Sequence, residues 1–385
     1  MRKRIPLIYA LSSGLRYGMQ EMAYTTVTGL RNKFRPVIFT PPGPAVDEAR
    51  KLGFEVVETL SLGSGENGGI MSPQSWNFSA QLGPYLSRYE EVAFFGTRCM
   101  HNLVFAATNL RYRRRAANIH IVHGVEAEPA YGQKRVLDRV PFAITVLAVS
   151  EFSRDRMKAH GLVRPVRVIE NYLSDERVAT SPRREPFREP GVRRAAVVSR
   201  LVPVKRIDVL LTCLENRPEL NAIAFHIYGD GPEGEALKER VAKGRLNVIF
   251  EGFRNDVASE LTKADIVVHL CPLEALPLAL LEALAADVPV VAPDRGGSAC
   301  VIEDGVNGLH FAANDAASLG RRLADLLDAP PERLNALVAG GRASLATRFS
   351  EQERLADYRA LISELLENKA GSDIALRSGM KSRVH

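Results

Sequence analysis

Apolar runs of strand length alternate with amphipathic segments of helix length along most of this 385-residue chain, and no other feature limits its fold as strongly. "IPLIYAL", "RPVIFT", "EVAFFG", "NIHIVHG", "ITVLAVS" and "VRVIEN" come first, each rich in Val, Ile or Phe. These runs lack the polar alternation of a one-sided strand, so they must be covered on both faces, as strands of a parallel sheet between helical layers are. The rhythm breaks over 174–192, "SDERVATSPRREPFREPGV", where three prolines and many charges leave almost no periodicity, as in a linker. It resumes with "RAAVVSR", "AIAFHIYG", "NVIFEGF", "ADIVVHLC", "VPVVAPD" and a last short "GLHF". Two doubly wound α/β domains are expected, over 1–174 and 193–348, joined by a linker over 175–192. A helix over 349–368 is expected to pack back on the first domain, and 369–385 to form a flexible basic tail.

A chain of this length with 46% apolar and 25% charged residues can bury a core in each domain, which excludes disorder over most of it. No apolar run approaches the roughly 20 residues of a membrane-spanning helix, and "MRKRIPLIYALSSGLRYG" has too short an apolar core for a typical signal peptide. A cytoplasmic location is the expectation. Cys99, Cys213, Cys271 and Cys300 are scattered without CxxC or metal-ligand spacing, and read as reduced core residues. Charge is uneven: residues 1–184 carry 26 Lys and Arg against 16 Asp and Glu, the remainder 25 against 29, for a net +6. "RNKFR" (31–35) and "RYRRR" (111–115) are the densest clusters. They suit either an anionic partner, such as a membrane surface, phosphorylated substrate or nucleic acid, or plain solubility. Nucleic-acid binding calls for a recognition element and stacking aromatics, and only Tyr112 accompanies "RYRRR", so no nucleic-acid partner is expected.

In doubly wound sheets ligands bind beyond the carboxyl ends of the strands, so strand-to-helix junctions are the candidate sites. After the first strand, Gly14 and Gly18 precede a helix expected near Met19; Gly18 either lets backbone N–H groups approach an anion or makes a simple turn. Two stretches match GxGxxG. "GSGENG" (63–68) leads into "GIMSPQSW", which cannot open a long helix. "GDGPEG" (229–234) follows a strand and opens a helix, with Glu251 at about the spacing of a ribose-binding acid, which supports an NAD-dependent dehydrogenase as an alternative. Pro232 in a first helical turn explains the same stretch as a tight turn. In "VVSRLVPVKRIDVLL", Arg200 and Lys205 lie five residues apart before a helix expected near Ile207. They suit a diphosphate, Arg as a fork and Lys as a point charge, or else are surface charges.

The most informative junction is "HLCPLEALPLALLEALAADVP": a strand ending near Cys271, a loop, then a helix with Pro277 in its first turn and its end near Ala286. Glu274 precedes the helix and Glu282 lies inside it, roughly 8 Å along the axis at 1.5 Å per residue. Backbone N–H groups around Ala275 and Leu276 would point out of the helix end, where an anion binds well. One elongated ligand could touch all three, and a nucleotide sugar has the parts. Its ribose diol suits one carboxylate, its diphosphate the N–H groups and cations, and its sugar hydroxyls the other carboxylate. The plainer reading sends both glutamates to solvent or makes one a cap.

Taken together, "SRLVPVKR", "IYGDGP", "EALPLALLE", "APDRGGSACVIEDGVNGLHF" and "RFSEQERLADYRALISELL" resemble the retaining glycosyltransferases of family four, glycosyl transferases group 1, which have the GT-B fold. The match is densest from 195 to 320, and the E-x7-E pair of Glu274 and Glu282 is its most specific element; in the front half it rests on "YGMQ" (17–20), "HG" (123–124), "VLAVSEFSRDRM" and "VIEN". The resemblance implies two doubly wound Rossmann-like domains facing each other across a cleft. It places Arg200 and Lys205 on the leaving diphosphate, Glu282 on the ribose, Glu274 on the transferred sugar beside the backbone of Ala275 and Leu276, Gly18 near the phosphate and His123 facing the donor sugar. The base would lie near Phe253 and Arg254, and Asn171 matches the Asn of the family's "PNG" turn. Four residues depart from the pattern: Ala275, Tyr17 and Tyr172 stand where Gly is usual, and Cys300 where Glu is usual.

The activity so implied is transfer of a hexose-type sugar, with retention of configuration, from a UDP- or GDP-sugar to a hydroxyl of a glycan or lipid-linked acceptor in cell-surface polysaccharide or glycolipid synthesis. His123, Arg200, Lys205 and Glu274 would carry catalysis, with no cofactor beyond the nucleotide-sugar substrate. No DxD occurs in the chain, in agreement with metal independence. The basic clusters then suit a peripheral enzyme at the inner membrane face. A nucleotide-sugar epimerase of related fold is the alternative, separable by product analysis.

Overall fold

The computed structural model describes residues 4–15, 18–62, 71–124, 136–254 and 256–367. The chain divides into two compact units, Met1–Glu170 with Gln352–His385, and Asn171–Glu351. The "GSGENG" stretch, Tyr17 and the 369–385 tail lie outside the described residues.

The first unit holds a seven-stranded sheet in the order β3-β2-β1-β4-β5-β6-β7, every neighbour parallel. Six strands coincide with the apolar runs: β1 (Ile5–Ala10), β2 (Phe34–Thr40), β4 (Glu91–Gly96), β5 (Arg115–Val122), β6 (Thr145–Ala148) and β7 (Val166–Val168). The seventh, β3 (Glu55–Glu58), has the sequence EVVE and no fully buried residue. It pairs on one side only, and an edge strand needs no continuous apolar run. Both basic clusters flank strand starts, with Phe34 opening β2 and Arg115 opening β5. In a parallel sheet they therefore share the amino edge, opposite the carboxyl edge where ligands bind. Part of their charge is paired internally: Arg35 with Glu55 at 2.6 Å, Arg115 with Glu91, while Arg114 Nε donates to Leu86 O at 2.6 Å.

The second unit holds a six-stranded parallel sheet in the order β10-β9-β8-β11-β12-β13. Its strands are β8 (Arg194–Val198), β9 (Ala224–Tyr228), β10 (Val248–Gly252), β11 (Ile266–Val268), β12 (Val290–Pro293) and β13 (Leu309–Phe311). Central β11 and β12 are buried at every position, which explains why their runs are wholly apolar. The strand order reverses between β8 and β11, so their carboxyl ends form the switch point of this sheet.

Residues 175–192, read from sequence as a linker, count with the second unit and contain the short helix Asp175–Thr180. The final helix, Glu351–Glu367, counts with the first unit from Gln352 onward. Its Tyr358 ring meets Phe95 edge-on at 5.9 Å, and a Cβ on Gly29 would lie 2.4 Å from Leu355. Of the four cysteines, Cys213 and Cys271 are buried and Cys99 and Cys300 half-buried, so only two are core residues in the full sense.

Candidate functional site

The loops leaving β8 and β11 carry five of the candidate residues, Arg200 and Lys205 on the first and Glu274, Ala275 and Leu276 on the second, and the backbone around them is tightly stitched. Leu201 N donates to Asp230 O at 2.9 Å and Glu233 N to Leu201 O at 3.1 Å, while the Asp230 carboxylate accepts from Phe253 N at 3.0 Å. A Cβ on Gly229 (φ 140°) would lie 2.0 Å from Ser199 O. The "GDGPEG" glycine is thus required by a close approach that holds the Arg200 loop against the Phe253 loop. Glu251, the acid that would bind ribose in a dehydrogenase, is held by His226 Nδ1 at 2.7 Å and Arg254 at 3.3 Å. Packing therefore accounts for Gly229 and Glu251 of the dinucleotide fingerprint. Phe253 presents a largely exposed ring, 69% accessible, at the end of β10.

Lys205 ends the short 3-10 turn Pro203–Lys205 and forms an ion pair with Glu274. Both side chains are about four-fifths buried, at 18% and 19% exposure. Burial holds the Lys205 ammonium below its usual range, and the nearby Arg200 charge adds to this. His269, directly after β11, brings Nε2 to 3.9 Å from the other Glu274 oxygen. Burial, then the Lys205 charge, push its pKa down to about 3, so it is neutral at physiological pH; its Nε2 has no hydrogen-bond partner. The Glu274 loop is fixed from behind by the Gly296–Gly297 turn. Gly297 N donates to Glu274 O at 2.7 Å, and a Cβ on Gly297 would lie 2.2 Å from Ala275 O. Cys271 Sγ donates to Val204 O at 3.1 Å and joins this loop to the Lys205 turn.

The second glutamate lies on the Leu278–Ala285 helix, whose Leu280, Leu281 and Leu284 are at most 2% exposed. Pro277 is the N-cap rather than a first-turn residue, so Ala275 and Leu276, both 4% exposed, precede the helix instead of supplying its first N–H groups. Glu282 Oε1 accepts from Arg177 at 2.6 Å. Asn171 is buried and donates to Leu276 O at 3.2 Å. Asp287, the remaining acid of the stretch, is buried and bound to Arg342 Nε at 2.6 Å.

In the first unit, Gly18 opens the Gly18–Leu30 helix after β1, and Gln20, fully buried, donates to Ser13 O at 2.9 Å to fix that loop. His123 follows β5, and its Nε2 lies 2.6 Å from the Tyr9 hydroxyl on β1. Burial pushes its pKa down to about 4, and Nδ1 has no hydrogen-bond partner.

Residues 181–343 match the family model described as glycosyl transferases group 1. This stretch is a group 1 glycosyltransferase domain. It contains Arg200, Lys205, Phe253, Arg254, Glu274, Ala275, Leu276 and Glu282. Among curated proteins, the chain is 30% identical over 205 residues to the D-inositol 3-phosphate glycosyltransferase of Mycobacterium avium, covering 47% of this chain and 48% of that one. It is 30% identical over 135 residues to the poly(ribitol-phosphate) alpha-N-acetylglucosaminyltransferase of Staphylococcus aureus, covering 34% and 27%. The chain spans between 27% and 59% of the length of the curated relatives it matches. Among solved structures, Anabaena HepE in complex with UDP and glucose superposes with a TM-score of 0.74 at 18% identity, over 94% of this chain and all of that one. That likeness shows the GT-B fold.

Three contributors to the group 1 domain's site carry no signal of their own in the sequence. Arg177 sits four residues ahead of the matched stretch in a segment without periodicity; His269 ends an apolar strand as a packed histidine would; Gly297 is one of two adjacent glycines in "PDRGGS". For Arg177, the search for a cation to match each carboxylate of the E-x7-E pair was the available clue.

Proposed function

We propose that this protein is a retaining glycosyltransferase that moves a hexose-type sugar from a UDP- or GDP-sugar to a hydroxyl of a glycan or lipid-linked acceptor. The observation that carries the reading is the Lys205–Glu274 pair at the β8/β11 switch point, with Glu282 one helix further on. A nucleotide sugar carries its diphosphate between sugar and ribose, so the cations are assigned to the diphosphate, Glu274 to the sugar on one side of it and Glu282 to the ribose on the other. Arg200 and Lys205 stabilise the charge that grows on the diphosphate as the bond to the anomeric carbon breaks, and such stabilisation is the main catalytic demand of this reaction. Lys205 occupies one Glu274 oxygen, and the other meets a hydroxyl of the transferred sugar. In the first unit, burial keeps His123 an uncharged hydrogen-bonding group, the form in which it would take part in catalysis. As the sugar–phosphate bond breaks, the acceptor oxygen bonds to the same face of the anomeric carbon and its proton passes to the departing phosphate. No protein nucleophile and no metal ion takes part in this scheme.

The base is assigned to the neighbourhood of Phe253 and Arg254. The amino edge of the first sheet, with Arg31, Lys33, Arg111 and Arg113 exposed, is assigned to an anionic membrane surface. Failure to bind anionic vesicles at moderate salt leaves a soluble acceptor instead. The test of the main reading is thermal stabilisation by a panel of nucleoside diphosphates and nucleotide sugars, with NAD and NADP as competitors, on wild type and Glu282→Ala, followed by product analysis with the nucleotide sugar that binds. Stabilisation by one nucleoside diphosphate that Glu282→Ala loses is expected. Stabilisation by NAD alone, or by nothing, refutes the reading, and an altered sugar without transfer makes the enzyme an epimerase.

A further inference from the structure

The stretch 171–184 is tied to the Leu278–Ala285 helix and its flanks at three points. Asn171 Nδ2 donates to Leu276 O at 3.2 Å, Arg177 donates to Glu282 Oε1 at 2.6 Å, and Arg184 N donates to Ala286 O at 2.9 Å. Between the first two, Ser174 Oγ accepts from Arg177 N at 3.2 Å and caps the Asp175–Thr180 helix, and Asp175 N donates to Glu351 at 2.8 Å. Arg177 thus reaches Glu282 from backbone anchored on both sides, not from a loop free to swing away.

That anchoring matters for what the contact does. An ion pair on a solvated surface contributes little, because two long side chains lose freedom to make it. Here the backbone is already ordered, and Glu282, with its side chain 23% exposed, stands on a helix whose Leu280, Leu281 and Leu284 are buried. A carboxylate has about four lone-pair directions. A guanidinium on Oε1 occupies part of them and leaves acceptor capacity for a vicinal diol.

Resting on the reading of Glu282 as the ribose contact, we infer that Arg177 is a positioning residue for the nucleotide ribose: it holds the Glu282 carboxylate in one rotamer, ready for the 2′- and 3′-hydroxyls. Without it Glu282 must be ordered by the nucleotide itself, which weakens binding through the ribose and through nothing else. The segment that sequence composition assigns to a linker is thereby part of the donor site.

The experiment is calorimetric titration of UDP and GDP, and of their 2′,3′-dideoxy analogues, into wild type, Arg177→Met, Arg177→Lys and Glu282→Gln, with melting temperatures as a check on folding. Arg177→Met is expected to weaken the nucleoside diphosphate that binds by about ten-fold, the scale on which removal of a supporting contact acts. Its effect on the dideoxy analogue should stay within about two-fold, and Arg177→Lys should recover part of the loss. Equal weakening of both ligands makes Arg177 a structural residue and overturns the inference, as does tighter binding by Arg177→Met, which makes it a competitor of the ribose. Wild-type affinity in Arg177→Met, with Glu282→Gln weakened, overturns the inference alone. Undiminished binding by Glu282→Gln, or no binding of either diphosphate to wild type, refutes the donor-site reading and the inference with it.

Discussion

Replacing Gly297 with Ala tests whether backbone contact, rather than side-chain chemistry, places Glu274. The added Cβ would lie 2.2 Å from Ala275 O, 2.4 Å from Ala275 C and 2.7 Å from Glu274 O, all backbone atoms that no rotamer change can remove. An ordinary carbon–oxygen contact is about 1 Å longer, so the Glu274 loop must retreat by roughly that much or the turn must open. Overpacking of this kind costs about 1–3 kcal/mol, and loss of the 2.7 Å bond from Gly297 N to Glu274 O adds about 1 kcal/mol. For a domain of this size the sum lowers the melting temperature by roughly 4–16 °C. A 1 Å displacement of a substrate-holding group costs on the order of 10²-fold in rate. Scanning calorimetry and sugar-transfer assays measure the two effects. Gly305→Ala serves as reference: Gly305 has φ 78° but its Cβ would meet nothing within 4 Å, so only the left-handed backbone penalty of about 1–2 kcal/mol applies and transfer is retained. Gly297→Ala that melts with wild type, or that keeps transfer within two-fold, refutes the argument.

Two further outcomes follow from the buried charges. Lys205→Met and Glu274→Leu each strand one member of a pair that is about four-fifths buried, and each should cost about 1–3 kcal/mol, below the value for full burial; the double variant should recover much of that while transfer stays lost in all three. Melting of the double variant at the sum of the single losses refutes this coupling. His101, His123 and His269 have pKa values held down to about 3, 4 and 3 by burial, whereas an unfolded chain takes up protons near 6.5. Stability is then full above about pH 6.5 and falls as pH drops toward 4, by about 1.4 kcal/mol per pH unit for each imidazole. Melting curves from pH 7.5 to 4.5 should show this slope, flattened in His269→Gln; a level profile refutes the neutral, buried state.

The legible parts of the molecule are those where one residue type answers one local demand. Strands buried on both faces, such as β11 and β12, must be continuous apolar runs; among the described residues β3 is the strand without such a run, because an edge strand tolerates EVVE. Two carboxylates in an aliphatic stretch stand out because burial of charge is costly, and so Glu274 and Glu282 are legible where their partners are not. Which cation meets which carboxylate is set by loop geometry, and sequence distance says nothing of it: Lys205 and Glu274 lie 69 residues apart, Arg177 and Glu282 105.

The stretch 174–192 shows why composition misleads at this point. Proline and scattered charge exclude a long amphipathic helix, and both a free linker and a segment strapped over a domain satisfy that condition. What separates them is whether the charges have partners fixed elsewhere. Here they do: Arg177 meets Glu282 at 2.6 Å, Arg184 meets Asp265 at 2.7 Å and lies over the Phe187 ring at 3.5 Å, and Phe187 N donates to Asn335 at 3.0 Å. Each contact closes a loop of many residues, and the entropy of doing so grows only slowly with loop length, so a few such contacts suffice to hold the segment down. A proline- and arginine-rich break between two sheets is therefore a strap wherever the following domain offers acids at its strand ends and helix faces, and Asp265 and Glu282 are such acids.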